Sequence, residues 1–349
     1  MTPSVGLVAC AGPAPLPPIG QRSCWAVVLA GGEGVRLRPL IRQILGEDRP
    51  KQFVRLLGPR SLLGQTLDRV ALAIPESRTL VVTVQHHAGY IAEEFDGATR
   101  PTVLLQPMDR GTAPGVLYPA HWIAWRNPEA TMVVFPSDHF LVGEVSFMAH
   151  VAEVVAWVER NPDRLVLLGA PATSPEVEYG WIEPGSPLGD LSTGPIRAVR
   201  RFWEKPPLTR ARACLQAGHL WNTSVVVGKV ATLVHLGWQA LPDMSDRLAR
   251  IEPFVSTPEE SHAVRKAYEL MPRANFSRDL LEGSPEVLAV SRLPRVVWSD
   301  LGSPHRVMEV LPKLRARPGW AHAFAPDRAP SAMRTPRLSA PDGAEAESA

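Results

Sequence analysis

The chain has 349 residues, of which 45% are hydrophobic, and a formal net charge of +2. It is long enough to bury a large core, and an α/β unit of this length can form one domain. The near balance of charges gives no reason to expect nucleic acid or an anionic membrane as a partner.

The two ends of the chain differ in composition from its middle. Residues 1–22 and 317–349 are rich in proline, alanine and other small residues, and neither segment shows hydrophobic periodicity. We therefore expect a disordered N-terminal extension over 1–22, one folded domain over 23–316 and a flexible C-terminal tail over 317–349. No apolar run approaches the roughly 20 residues that span a bilayer, and the N-terminus lacks the basic start of a signal peptide.

The cysteines indicate a reducing compartment. Cys10, Cys24 and Cys214 are widely spaced, and they form neither a metal-type pair nor an even set for disulfides. A cytoplasmic protein is the simplest interpretation.

A strand-like run near the N-terminus ends in a glycine-rich loop. Residues 26–30 are apolar, and three of the next four residues, 31–34, are glycine. Arg36 and Lys51 follow. Glycine lets main-chain N–H groups approach a phosphate, and arginine and lysine balance its charge. The segment indicates a nucleotide ligand, although it lacks both the Gly-Lys-Ser/Thr of a Walker loop and, at Leu37, the third glycine of the dinucleotide fingerprint.

Short apolar runs and helical patterns alternate along the middle of the chain. Strand-like runs rich in valine and leucine lie at 79–84, 102–106, 131–135 and 164–168, and apolar residues recur at helical spacing over 63–74 and 147–158. This alternation predicts an α/β fold with a mainly parallel central sheet and helices on both faces. Such sheets bind ligands at the carboxyl ends of their strands, and the glycine loop, Gln106 and Asp138 all lie at or just after predicted strand ends.

The pattern is less regular after residue 180. Strands predicted at 196–202 and 224–227 would bring Glu204, Lys205 and Asn222 to a common rim. Further on, Ser303 followed by proline is typical of a helix N-cap, so we expect a helix from there to about residue 314.

Seven segments, in this order and at this spacing, carry a resemblance to a known family. They are the glycine loop with Pro50-Lys51-Gln52-Phe53, Leu105-Gln106-Pro107 with Arg110-Gly111-Thr112, Phe135-Pro136-Ser137-Asp138-His139, Glu178-Tyr179-Gly180, Phe202-Trp203-Glu204-Lys205, Leu220-Trp221-Asn222 and Trp298-Ser299-Asp300-Leu301-Gly302. Over roughly residues 24–315 the chain resembles the sugar-1-phosphate nucleotidyltransferases, most closely those that act as mannose-1-phosphate guanylyltransferases. The resemblance implies a Rossmann-like, GT-A-type nucleotidyltransferase fold over 23–316.

The resemblance also implies a reaction. GTP and mannose-1-phosphate would give GDP-mannose and diphosphate with Mg²⁺ as cofactor, and a homo-oligomer is compatible with it. The sequence leaves open a relative that uses another hexose-1-phosphate or another nucleotide. It also leaves open a catalytically silent regulatory subunit, although such a protein would be expected to have lost Arg36, Lys51, Asp138 or Asp300. A GT-A glycosyltransferase would normally show a close Asp-x-Asp pair, which Asp138 lacks.

Residue roles follow from the same resemblance. The catalytic residues would be Arg36, Lys51 and Asp138, and the metal would be held by Asp138 and Asp300. The nucleotide-binding residues would be Leu29, Ala30, Gly31, Gly32, Gly34, Arg36, Gln106, Gly111 and Thr112. The residues that bind the sugar phosphate would be Gly180, Glu204, Lys205 and Asn222.

Several of these residues have a structural alternative. Asp138 and Thr112 are each compatible with an N-cap of the following helix. Glu204 and Lys205 belong to a Glu-Lys-Pro string that is common on surfaces. His139 is expected to start a helix or to form a hydrogen bond, and not to act as a base. The neighbouring pair His86 and His87 is expected at a surface helix start, in preference to metal binding. Val35 departs from the family, which usually has a hydroxyl residue there.

Overall fold

A nine-stranded sheet organises the chain. The structure, a computed structural model, describes residues 23–95, 100–314 and 318–324. The strands are β1 (Cys24–Leu29), β2 (Thr79–Val84), β3 (Thr102–Gln106), β4 (Thr131–Pro136), β5 (Phe140–Val142), β6 (Leu165–Pro171), β7 (Gly180–Leu191), β8 (Gly194–Glu204), β9 (Leu220–Lys229), β10 (Leu288–Arg292) and β11 (Val297–Ser299). The α-helices are α1 (Arg38–Leu45), α2 (Leu62–Ala71), α3 (Ala88–Glu94), α4 (Thr112–Ala124), α5 (Glu144–Arg160), α6 (Leu208–Gln216), α7 (Val230–Ala240), α8 (Pro242–Ala249), α9 (Glu260–Glu269) and α10 (Pro304–Val310).

The sheet is mostly parallel, as predicted. Its order is β3-β2-β1-β4-β9-β6-β10-β8-β7, and every strand except β9 and β8 runs in the same direction. The parallel strands therefore end at one edge. A separate two-stranded sheet pairs β5 with β11.

The strands are apolar throughout because both faces of the sheet are covered. In β4, Met132 and Val134 pack into the core on one face, whereas Val133 and Phe135 pack into the core on the other. Helix α4 is almost entirely buried. This is the burial that near-continuous valine and leucine runs predict for a parallel sheet.

The predicted elements are largely confirmed. The strands expected at 79–84 and 102–106 have those bounds. Helix α10 begins after Ser303, whose hydroxyl accepts from the Arg306 N–H at 3.4 Å, as the cap prediction requires. The helix is shorter than expected, because a 3₁₀ turn replaces it from Leu311.

The start of the predicted C-terminal tail is structured. Residues 319–324 form a 3₁₀ helix, and the Trp320 Nε1–H donates to the Leu56 carbonyl at 2.9 Å. The N-terminal extension, Cys10 and the remainder of the tail lie outside the described residues. Among the helices that the structure describes, none is long and apolar enough to cross a membrane.

Candidate active site

A cavity of about 560 Å³ opens where the parallel strands end. All residues predicted for the site line this cavity except Ala30 and Gly34. Those that line it are Leu29, Gly31, Gly32, Arg36, Lys51, Gln106, Gly111, Thr112, Asp138, Gly180, Glu204, Lys205, Asn222 and Asp300. A volume of this size suits a small-molecule ligand.

Hydrogen bonds to the main chain of Ala30 hold the start of the glycine loop in place. The Ala30 N–H donates to the Val82 carbonyl at 2.7 Å, and the Ala30 carbonyl accepts from Gln52 and Thr83, each at 2.9 Å. Ala30 is fully buried and its polar groups are used, so its position does not support the expected contact with a nucleotide. A side chain at Gly32 would meet nothing within 4 Å, which leaves that stretch of backbone open to a ligand.

Gly34 supports the loop in a different way. It has a left-handed backbone with φ of +59°, and a Cβ there would lie 3.2 Å from both the Cγ and the backbone N of Lys51. Glycine therefore permits the turn and allows Lys51 to approach. The neighbouring Val35 is 60% exposed and does not line the cavity.

Lys51 joins the two carboxylate-bearing segments. Its Nζ donates to the Asp300 carbonyl at 2.6 Å and lies 3.1 Å from the Asp138 carboxylate. The Lys51 side chain is only 8% exposed, whereas that of Asp138 is 25% exposed. The buried ammonium group of Lys51 therefore contacts both Asp138 and the main chain of Asp300.

The pairing of β5 with β11 explains why residues so distant along the chain meet. Phe140 lies opposite Ser299 in this antiparallel pair, so the register places Asp300 beside His139 and close to Asp138. The Trp298 Nε1–H donates to His139 Nδ1 at 3.3 Å and supports the same register. The strand at 140–142 also excludes the cap alternative for Asp138, because the next helix begins only at residue 144. For the same reason His139 does not start a helix, whereas the alternative expectation, that it forms a hydrogen bond, is confirmed by its contact with Trp298.

The Asp300 carboxylate is held by several donors. It accepts from Arg306 Nη1 at 2.9 and 3.0 Å, from the Tyr179 hydroxyl at 2.6 Å and from the Gly302 N–H at 2.9 Å. Burial alone would raise the pKa of Asp300, but the Tyr179 hydrogen bond and the neighbouring cations outweigh it and lower that pKa. Asp300 is therefore ionised and fixed in orientation.

Three charged side chains line the open side of the cavity. Arg36 Nη1 lies 3.1 Å from the Glu178 carboxylate, and its Nη2 lies 3.9 Å from Asp300 Oδ2. Lys205 Nζ lies 3.8 Å from the same Glu178 carboxylate. All three of Arg36, Lys205 and Glu178 are about half exposed, so Glu178 forms a solvent-facing bridge between two cations.

One end of the cavity is built by Gln106 and the segment that follows it. The Tyr268 hydroxyl donates to Gln106 Oε1 at 3.2 Å, and both side chains are buried. Gly111 has φ of +88°, and a Cβ there would lie 2.2 Å from the Ala274 carbonyl oxygen, so only glycine fits. The N-cap alternative for Thr112 is excluded, since its hydroxyl accepts from the Phe276 N–H at 2.9 Å and the cap position is Gly111.

The other end is built by β7, β8 and β9. Gly180 lies opposite Glu204 in the sheet, and a Cβ on Gly180 would lie 3.1 Å from both Glu204 Oε2 and Asn222 Cβ. Burial raises the pKa of Glu204 above its ordinary value. Lys205 has a positive φ of 50°, and its N–H donates to the Tyr179 carbonyl at 3.2 Å. Both side chains line the cavity, so this Glu-Lys pair is not a plain surface string.

The donor chemistry fits a hard divalent cation. Asp138 and Asp300 are two carboxylates that line one cavity beside the glycine loop. Magnesium is typically held by one or two carboxylates together with substrate phosphates and water. Lys51 and Arg306 balance these carboxylates in the structure, so a cation would share them with the two side chains.

A family model described as nucleotidyl transferase matches residues 25–317. The chain belongs to this family. A relative from Sinorhizobium fredii, named mannose-1-phosphate guanylyltransferase, is 30% identical over 281 residues, which are 79% of this chain and 52% of that protein. A protein of the same name from Klebsiella pneumoniae is 28% identical over 298 residues, which are 82% of this chain and 60% of that protein. The chain thus spans little more than half the length of the curated relatives it matches.

A solved structure shows the same fold. A protein from Thermus thermophilus, described as a mannose-1-phosphate geranyltransferase, is 29% identical to this chain and superposes with a TM-score of 0.68. The alignment covers 80% of this chain and 76% of that one. The Rossmann-like, GT-A-type architecture expected from the sequence is therefore confirmed.

Sequence reasoning missed the contacts of four residues that lie in or beside the cavity. Tyr179 and Arg306 orient Asp300, Tyr268 contacts Gln106, and Glu178 bridges Arg36 and Lys205. Tyr179 and Glu178 stand inside a recognised segment, but nothing in the sequence pairs them with residues more than 100 positions away.

Proposed function

We propose that the chain is a mannose-1-phosphate guanylyltransferase, which converts GTP and mannose-1-phosphate to GDP-mannose and diphosphate. The observation that carries this proposal is one cavity in which a bare glycine loop, two basic side chains and two carboxylates meet. The names of the Sinorhizobium and Klebsiella relatives support the choice of nucleotide and sugar.

The reaction is a displacement at the α-phosphorus of the nucleotide. An oxygen of the sugar phosphate attacks, the bond to the β-phosphate breaks, and diphosphate leaves with the electron pair. Both reactants are polyanions, and two unit charges 4 Å apart repel by about 4 kcal/mol at an effective dielectric of 20. Catalysis therefore depends on positioning and on neutralising charge, and no covalent nucleophile is needed.

Arg36, Lys51 and the loop glycines would supply that neutralisation. The exposed guanidinium of Arg36 would turn from Glu178 to the departing diphosphate, where its planar fork suits phosphate oxygens. Lys51 lies at the base of the cavity and would bind the phosphate nearest Asp138. Gly31 and Gly32 would offer main-chain N–H groups to the triphosphate.

Magnesium would be held by Asp138 and Asp300. When bound, it supplies positive charge to the phosphate oxygens at the reacting centre. Tyr179 and Arg306 would serve this role indirectly, because they hold Asp300 ionised and in one orientation.

The two ends of the cavity divide the substrates between them. Gln106, with Gly111 and Thr112 beside it, would bind the guanine base through its side-chain amide. At the opposite end, Glu204 and Asn222 would bind sugar hydroxyls, Lys205 would bind the sugar phosphate, and Gly180 would let the sugar lie against the backbone. The buried, unpaired Cys24 and Cys214 fit the reducing cytoplasm in which we propose that the enzyme works.

The test is diphosphate release across a grid of the four nucleoside triphosphates and several hexose-1-phosphates. Turnover confined mainly to GTP with mannose-1-phosphate supports the proposal. Turnover with another pair identifies a relative of different specificity, and no turnover with any pair supports a silent regulatory subunit. Arg36→Gln should lose activity, whereas Arg42→Gln is a matched control because Arg42 pairs with Asp48 on the exposed side of α1.

A further inference from the structure

A second cluster of metal-binding side chains lies beside the glycine loop. Glu33 comes from the loop itself, and His86 and His87 come from the turn between β2 and α3. One donor atom of each residue lies within 4.8 Å of the others. Glu33 Oε1 is 2.6 Å from His86 Nε2 and 3.4 Å from His87 Nε2.

His87 is the unexpected member of this cluster. The sequence predicts an exposed residue, but the side chain is only 1% exposed and packs against the rings of Phe53 and Tyr90. Within the described residues, neither of its ring nitrogens makes a hydrogen bond of good geometry, although Glu33 and the Ala30 backbone lie close enough to interact with the ring. Burial lowers the pKa of His87, so the ring is neutral and has a lone pair to offer. Buried polar groups are usually well hydrogen-bonded, so a buried imidazole this weakly paired points to a ligand that would complete its contacts.

We propose that Glu33, His86 and His87 form a binding site for a divalent cation of the zinc class. Two imidazole nitrogens and one carboxylate oxygen are the ligands that such ions prefer, whereas magnesium favours oxygen ligands alone. The site is therefore distinct in chemistry from the pair formed by Asp138 and Asp300. It goes beyond the proposed guanylyltransferase activity and does not depend on it.

Two of the three distances between the ligand atoms can be compared with those of a tetrahedral site. Metal–ligand bonds of 2.0–2.1 Å at tetrahedral angles separate the ligand atoms by about 3.3 Å. The distance of 3.4 Å between His87 Nε2 and Glu33 Oε1 already matches this edge. The shorter contact to His86 has to open by about 0.7 Å to reach the same spacing, and His86 can move because its side chain is 58% exposed.

Arg38 holds the Glu33 carboxylate in an orientation that suits metal binding. Arg38 Nη2 lies 2.7 Å from Glu33 Oε2, so Oε1 is the oxygen left to face the imidazoles. Outer partners of this kind orient metal ligands in proteins. Glu33 also lines the large cavity, so a fourth coordination position would be open to water or to a cavity ligand. A bound ion would tie the glycine loop to the start of α3.

The test measures binding to the full chain without substrates. Isothermal titration with Zn²⁺ should show one tight equivalent, and Co²⁺ as a substitute should give the intense visible absorption of a four-coordinate site. His86→Ala should weaken Zn²⁺ binding by at least about 100-fold, because it removes one of three protein ligands and the loss of an outer partner alone costs up to about 100-fold. The matched control is His305→Ala, since His305 also faces a glutamate, Glu309, on the exposed surface of α10, and no third ligand joins this pair among the residues that the structure describes.

Two further measurements separate this site from the proposed magnesium site. Asp138→Asn should keep the tight Zn²⁺ equivalent, and excess Mg²⁺ should not displace it. Glu33→Gln should weaken binding as His86→Ala does, and far-UV circular dichroism checks that each variant is folded. Absence of tight Zn²⁺ binding, or equal binding by the wild-type, His86→Ala and Glu33→Gln proteins, would overturn the proposal.

Discussion

Replacing Lys51 by methionine tests the junction between the two carboxylate segments. The Lys51 ammonium lies 3.1 Å from the Asp138 carboxylate, a distance at which unit charges attract by about 5 kcal/mol at an effective dielectric of 20. Solvent screening reduces this figure, because a quarter of the Asp138 side chain is exposed. Removing the ammonium group also removes the free-energy cost of burying its charge, which offsets part of the lost attraction. We therefore expect Lys51→Met to lower the free energy of unfolding by about 2–3 kcal/mol.

The same substitution should affect turnover more than stability alone explains. A positioned donor to developing negative charge is typically worth about 100- to 1,000-fold in kcat. We expect a loss of that size in diphosphate release by the folded variant, since Lys51 is the most buried cation that lines the cavity in the described structure. The free energy of unfolding is measured by urea titration, and kcat is measured with saturating GTP and mannose-1-phosphate.

The matched control is Lys266→Met, which changes an exposed lysine on α9 that does not line the cavity. It should leave both quantities unchanged. If the Lys51→Met protein is destabilised but turns over at the wild-type rate, Lys51 stabilises the fold and does not contribute to catalysis. An unchanged free energy of unfolding would contradict the pairing of Lys51 with Asp138.

Two further substitutions test buried polar groups. Tyr268→Phe removes the hydroxyl that donates to Gln106 Oε1, which costs about 1 kcal/mol of hydrogen bonding. The KM for GTP should therefore rise about fivefold, whereas the KM for mannose-1-phosphate should stay the same. An unchanged KM for GTP would contradict this role of Tyr268. Burial lowers the pKa of His121 from 6.5 to about 4, so the unfolded chain binds more protons between these pH values and stability falls as the pH falls. His121→Leu should remove about 3 kcal/mol of that pH dependence between pH 7 and pH 4 in urea titrations, whereas Ile123→Val on the same helix should lower stability without changing the slope. An unaltered slope in His121→Leu would show that His121 is not the group responsible.

Much of the fold could be predicted because its signals are local. The parallel strands are buried on both faces, so they appear in sequence as continuous apolar runs such as 79–84. Their carboxyl ends share one edge, which is why the sequence pattern alone could place Gln106 and Asp138 together. Asp300 could be assigned only from the family resemblance, because β11 pairs with a strand more than 150 residues away.

The errors arose where a distant partner competes with a local preference. Thr112 has the sequence context of an N-cap, but Phe276 supplies a main-chain N–H that takes up its hydroxyl. His87 follows a strand in a polar context that favours exposure, yet the rings of Phe53 and Tyr90 cover it. Trp320 lies in a segment whose composition predicts disorder, and its indole binds the Leu56 carbonyl. In each case at least one deciding group is remote in sequence, namely Phe276, Phe53 and Leu56.

The proposed guanylyltransferase reaction depends most directly on a cation that Asp138 and Asp300 would hold together with the substrate phosphates. The decisive measurement is the rate of diphosphate release by Asp138→Asn in Mg²⁺, compared with Asp163→Asn, which changes a carboxylate that is 77% exposed. We predict that Asp138→Asn remains folded, because Lys51 keeps its bond to the Asp300 carbonyl, and that its turnover is abolished. Asp163→Asn should match the wild type. Near-normal turnover by Asp138→Asn would contradict the proposed metal site.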